Sequence, residues 1–200
     1  MRIVTLLGDY YHSHDRLLQF LQKTLSNHQI EDGEVKDLPE ILAKNPDKIL
    51  ISKENRLTPK DGDASWLTEE LDQLIWQYVQ KGGRLFVLHS GLSSYPESSL
   101  YRKLTKGHFL HHPDEHNEVI YRGKDTFSFP DEHYFVAVDE AETEVFLTSS
   151  SKEGTSIAGW RHQVEQGRVL CLTPTHTEEG FKNQTFQAYF VECAEWLLAE

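Results

Sequence analysis

In the first half of the chain, short apolar runs alternate with amphipathic stretches. Ile3 to Leu7 is mostly apolar and stops at Gly8 and Asp9, the pattern of a buried strand entering a turn. A helix follows, capped by Ser13 or His14, with Leu17, Leu18, Leu21 and Leu25 on one face. A weak second strand is expected around Glu34 to Asp37, then a short helix after Pro39, then a third strand over Asp47 to Ser52. Lys53 to Ser65 carries charge and turn residues without periodicity, which predicts a surface loop. Trp66 to Gln80 repeats with helical spacing and turns Leu67, Leu71, Leu74, Ile75, Tyr78 and Val79 inward, until Gly82 and Gly83 stop it. Arg84 to Leu88 is the next buried strand and runs straight into a polar turn at His89, Ser90 and Gly91. Strands and helices alternating at this spacing imply right-handed crossovers and a parallel sheet.

Beyond a short helix over Pro96 to Leu104, the texture changes. From Val119 the runs VIYR, FSF, YFVAV, EVFLTSS, SIAGWRH and RVLCLTP are strand-like and separated by turns, as in an antiparallel extension. The chain ends in a packing helix over Phe181 to Leu198, with Phe186, Tyr189, Phe190, Cys193, Trp196 and Leu197 at three- and four-residue steps. Two hundred residues fit one domain, 1–200, with a core that needs no disulfide or structural metal.

Charge narrows the partners. A formal net charge of −12 with no basic run excludes a nucleic-acid partner, because phosphate backbones are bound mainly through Lys and Arg. The segment before Gly8 is too short for a signal-peptide core or a membrane span, so no membrane partner is expected. Cys171 and Cys193 read as reduced, buried thiols in a cytoplasmic protein. Tyr10, Tyr11 and Trp66 would serve a homo-oligomer contact, the core or a cleft equally well.

In an open α/β sheet, ligands collect outside the carboxyl ends of the strands. His89 lies at such an end, and so does His176 after the strand Val169 to Thr173, with Glu178 and Glu179 beyond it. Asp9, His12 and His14 sit at the first strand-to-helix crossing. In FPDEHYFV, Asp131 and Glu132 enter a strand side by side, so at most one of them faces a given cleft. Each of these residues also has a structural reading, as a hydrogen-bonded strand-end histidine or a turn-capping carboxylate. His108, His111, His112 and His116, with Asp114 and Glu115, form a polar segment that offers metal ligands or a solvated loop. Ser90 lacks the glycine spacing of a nucleophile elbow, neither cysteine follows a strand end, and no Gly-rich phosphate loop is present.

GGRLFVLHSGLSSY, YRKLTKGHFLHHP, FSFPDEHYFV and AGWRHQVEQGRVLCLTPTHTEE, in that order, resemble the trehalose-utilisation (ThuA-like) family over nearly the whole chain. The segment EHNEVIYRGKD departs from the family pattern. The resemblance implies a class I glutamine amidotransferase-like fold: a flavodoxin-like, three-layer α/β/α sandwich with a mostly parallel sheet, here with extra antiparallel strands in the C-terminal half. Glutamine amidotransferases carry a cysteine where this chain has His89, so thiolate glutaminase chemistry is excluded, while His176 and Glu178 resemble their His-x-Glu pair. It also implies carbohydrate metabolism, with a sugar or keto-sugar as the small-molecule ligand. The leading expectation is an acid/base enzyme with His89, His176, Glu178, Asp131 and Glu132 as catalytic groups. Asp9, His12, Ser90 and Tyr134 are then the substrate-binding groups. A divalent metal, which the sequence does not require, held by some of His89, His108, His112 and His176, defines a second reading as a hydrolase or lyase. A non-catalytic sugar-binding or scaffold protein is the third.

Overall fold

The structure is a computed structural model that describes residues 1–60 and 64–198. The first half runs β1 (Arg2–Leu7), α1 (His14–Thr24), β2 (Gln29–Asp32), α2 (Leu38–Ala43), β3 (Lys48–Ser52), α3 (Glu69–Gln80), β4 (Arg84–Leu88) and α4 (Leu100–Thr105). The second half runs β5 (Gly107–His111), β6 (Asn117–Arg122), β7 (Thr126–Asp131), β8 (Phe135–Val138), β9 (Glu144–Ser151), β10 (Gly154–Val164), β11 (Gly167–Leu172), α5 (Glu178–Lys182) and α6 (Gln184–Leu198).

Nine strands form one sheet in the order β2-β1-β3-β4-β11-β10-β9-β6-β7. The strands from β2 to β11 in that order pair in parallel, and the rest pair antiparallel. The fold is thus mixed α/β, with a parallel half extended by antiparallel strands. Because β11 returns to the middle and lies beside β4, the carboxyl ends of β1, β3, β4 and β11 all open on one edge. The loops leaving those ends build the site.

Side chains alternate across the sheet and are buried on both faces. Ile3, Leu50, Phe86 and Leu170 pack with Leu17, Phe20, Leu21, Phe186 and Phe190 of α1 and α6. Ile49, Ile51, Val87 and Cys171 point the other way, onto Leu38, Ile75, Tyr101 and Leu104. Each such side chain contributes about 1.5–3 kcal/mol by leaving water, which fixes the strands that carry the polar turns.

Several elements differ from the sequence expectation. The second strand is Gln29–Asp32, not Glu34 to Asp37: it is a half-exposed edge strand, held by pairing to β1 with Ile30 opposite Ile3, and has no apolar run to mark it. Trp66 lies ahead of α3, is 5% exposed, and donates its Nε1 to the Glu54 carbonyl at 3.1 Å. That bond holds the start of the Lys53 to Ser65 segment, where Glu54 and Asn55 are buried rather than solvated, while residues 61–63 of the expected loop lie outside the described residues. Gly107–His111 is a strand that pairs antiparallel with β8 as a small second sheet. The terminal helix is two helices, and Asn183 caps the second by accepting from Phe186 N at 2.9 Å.

Lys48 is fully buried at the start of β3, and its Nζ donates to the Ala194 carbonyl at 2.8 Å. Burial pushes its amine down from 10.5 to about 7. Between those values the unfolded chain holds a proton that the folded chain lacks. Stability therefore rises with pH across that window, and the cost is fully present below it. Lys48→Met is expected to stabilise the protein by about 3 kcal/mol near pH ~6. The gain should fade as pH approaches ~10.5, which urea unfolding of both proteins across this range would check.

Candidate functional site

His89 ends β4 with a backbone φ of 47°, a left-handed conformation that is uncommon outside glycine and that turns the chain sharply out of the sheet. The turn is pressed against β3: a Cβ on Gly91 would stand 2.4 Å from the Ile51 carbonyl oxygen, so only glycine fits there. His89 is completely buried, and its Nδ1 donates to the Thr173 carbonyl at 2.6 Å. In the neutral ring its Nε2 is then a lone pair, 3.1 Å from His176 Nδ1 and 3.5 Å from Glu132 Oε2.

His12 is fixed the same way from β1. Gly8, with a φ of 73°, reverses the chain, and Asp9 then organises the next residues. Its Oδ1 accepts from Tyr11 N at 3.0 Å, His12 N at 3.2 Å and His12 Nδ1 at 2.6 Å, while Oδ2 accepts from Glu54 N at 2.9 Å. Burial works against the Asp9 carboxylate, but these donors, His12 foremost, hold it well below the usual carboxylate range. With Nδ1 committed to Asp9, His12 Nε2 is buried and has no hydrogen-bond partner.

Glu132 follows β7, and its Oε2 lies 3.7 Å from His176 Nδ1 and 4.0 Å from His12 Nε2. One ligand atom each from His12, His89, Glu132 and His176 lies within 4.8 Å of all the others. A tetrahedral ion with ligand bonds of about 2.0–2.1 Å separates its ligand atoms by about 3.4 Å, inside the range of these contacts. Burial and the neighbouring imidazoles push His176 down to about 2, and burial lowers His89 against the pull of Glu132, so both rings are neutral. Burial raises Glu132, and the combined pull of His89, His176 and His112 outweighs that and lowers it to about 2. His89 and His176 therefore stand as neutral rings beside one carboxylate.

The other sequence-selected residues fall into two groups. Tyr134 stacks on His89 with ring centroids 4.0 Å apart, and Ser90 is buried beside it. Asp131 points to the opposite face from Glu132, where Tyr121 Oη and Thr175 Oγ1 each donate to it at 2.7 Å and burial raises it to about 7. Its role there is to tie β7 to the turn after β11. Glu178 does not join the cluster: Thr177 caps α5, the chain turns, and Glu178 is exposed in an ion pair with Lys182. The metal set expected from sequence is also altered. His108 lines a separate cavity with Arg102 and Lys106, while His112 lines the site's cavity wall; His12 and Glu132 take their places in the cluster.

A cavity of about 280 Å³ reaches the cluster at His12 and Glu132. Phe109 and Tyr134 form one side of its lining, and Glu54, Arg56 and Ser93 add polar groups. Glu54 and Arg56 were missed in the sequence although they directly follow the carboxyl end of β3, the position that singled out His89. His116 stands at the rim, with Nε2 3.4 Å from Glu132 Oε1.

The strand-end elbow carries His89, and Cys171 and Cys193 are both buried and free; the family that this chain matches is glutamine amidotransferase-like. The chain belongs to the ThuA family, described as trehalose utilisation, whose family model matches residues 8–197. No curated protein matches the sequence. Among solved structures, a ThuA-like protein from Parabacteroides merdae superposes with a TM-score of 0.75 at 12% identity, covering 100% of this chain and 90% of that one. A ThuA-like protein from Bacteroides uniformis gives 0.70 at 15% identity, covering 100% and 91%. A β-galactosidase from Bacillus circulans gives 0.65 at 11% identity, covering 98% of this chain but 30% of the enzyme. At these identities the likeness is one of fold. The family places the chain in carbohydrate utilisation. Among the described residues, no helix is long and apolar enough to cross a membrane.

Proposed function

We propose that the chain is a metal-dependent enzyme acting on a sugar or sugar derivative, with His12, His89, His176 and Glu132 as ligands of one divalent cation. The observation that carries this reading is the gathering of four possible ligand atoms within 4.8 Å of one another, with His12 Nε2 buried and unpartnered. A cation among them would engage all four donor atoms at once, including the His12 Nε2 that has no hydrogen-bond partner. Two of the imidazoles also have their outer nitrogen tied to an acceptor, Asp9 or the Thr173 carbonyl. That second shell fixes the tautomer a metal requires. Three imidazoles and a carboxylate suit zinc among the common ions. We assign His89 and His176 as ligands rather than proton carriers because their inner nitrogens face each other and not the cavity.

The sugar class rests on the family description. The sheet is read as the middle layer of an α/β/α sandwich, supported by cores on both of its faces. The unbridged, buried cysteines fit a reducing compartment.

When bound, the ion would polarise a substrate oxygen or activate water for hydrolysis or elimination. The chain's own residues hold the donors in place, exclude bulk water behind His89, and offer the second Glu132 oxygen toward the cavity rim. Turnover of glycosides and keto-sugars by zinc-loaded protein, compared with protein stripped by chelator, tests the reading. Loss on stripping and recovery on adding zinc is expected; full turnover after complete removal of metal would sink it. Asp9→Asn should weaken zinc binding by about 10–100-fold through the loosened His12, as competition with a chromogenic chelator would measure.

A further inference from the structure

The cavity above the cluster has two unlike walls. On one, Tyr134 lies on His89 and Phe109 packs against Tyr134 with ring centroids 4.5 Å apart. Tyr11 also lines the cavity, with its ring against His12 at 6.5 Å between centroids, and is 57% exposed. Its backbone is held, because Asp9 accepts from Tyr11 N in the same turn that orients His12. The other wall is charged. Glu54, 4% exposed, accepts at Oε1 from Arg56 Nε and from Ser94 Oγ, each at 2.7 Å. Arg56 also places Nη2 2.6 Å from that oxygen, and a guanidinium carries five N–H donors, so donors remain beyond those two.

A pyranose has the same division: a face of C–H groups and a rim of hydroxyls. At about 280 Å³ the cavity lies at the small end of ligand pockets, the scale of one sugar ring. We propose that this cavity binds a single pyranose ring, with its C–H face on Phe109 and Tyr11 and its hydroxyls on the Arg56–Glu54 wall. The proposal rests on the metal-dependent sugar reading above and adds the size and orientation of the ligand. A disaccharide enters with one ring, and the other stays outside in solvent. The site therefore reads one glycosyl unit and is indifferent to what is attached to it.

The test is calorimetric titration of zinc-reconstituted protein with the methyl α-glycosides of glucose, galactose and mannose, and with trehalose and maltotriose. The expected result is that at least one methyl glycoside binds, and that the oligosaccharides sharing its ring bind within about threefold of it. Tyr11→Ala, a change at an exposed side chain, and Phe109→Ala should each weaken binding at least tenfold at unchanged zinc stoichiometry. Trehalose or maltotriose binding more than tenfold tighter than every methyl glycoside would overturn the single-ring site. So would sugar binding indifferent to both substitutions, or no sugar binding by fully zinc-loaded protein. In that last case the metal centre stands and only this inference falls; if reconstitution loads no zinc, both fall.

Discussion

His89→Ala is expected to abolish stoichiometric zinc binding. The substitution removes one of four proposed donors and also the Nδ1–H that bonds the Thr173 carbonyl, so it loosens the turn that carries His176. Leaving that buried carbonyl unpaired costs about 1–3 kcal/mol in the metal-free protein. The larger effect appears with metal present. At a free zinc concentration 1,000 times its dissociation constant the parent gains about 4 kcal/mol, and the variant gains none. Thermal unfolding of both proteins with and without zinc separates the two contributions. Equal zinc-induced shifts in parent and variant would remove His89 from the ligand set.

Gly91→Ala should have the next largest effect, although residue 91 has no side chain to contribute. The added methyl group meets the Ile51 carbonyl oxygen at 2.4 Å and Val87 Cγ1 at 3.0 Å, both in the rigid centre of the sheet. Neither can yield, so the turn must lift from β3, carrying His89 with it. Overpacking of this kind costs about 3 kcal/mol, and a displaced ligand should weaken zinc binding by about 10–100-fold. Urea unfolding and a zinc titration would read the two effects. A variant with the parent's stability would mean that the turn is not packed as described.

Both expectations depend on features only partly legible in the sequence. His89 and His176 could be singled out because each follows an apolar strand, and sheet topology brings neighbouring carboxyl ends together. Period-two alternation separated Asp131 from Glu132 but could not say which faced the cleft; that depends on Tyr121 and Thr175, which arrive from β6 and from the turn after β11. Glu178 sits two residues from His176, yet the cap at Thr177 starts a helix and turns it to solvent. Linear proximity misled there because a helix start reverses direction within a residue. Glu54 and Arg56 lay hidden in a charged, aperiodic segment that reads as solvated. Contacts with Asp9, Ser93, Ser94, Tyr95 and Trp66 bring its first residues inside. β2 and β5 were obscured because their half-exposed, polar positions are held by pairing and not by hydrophobic pattern.

A divalent cation among His12, His89, His176 and Glu132 is the central proposal. Elemental analysis of protein purified without an affinity tag, after reconstitution and dialysis, measures that directly. One divalent ion per chain in the parent, and essentially none in His89→Ala and His176→Ala, is the result expected. A parent protein that holds no stoichiometric zinc, manganese, iron or nickel, and whose unfolding temperature none of them raises, would contradict it.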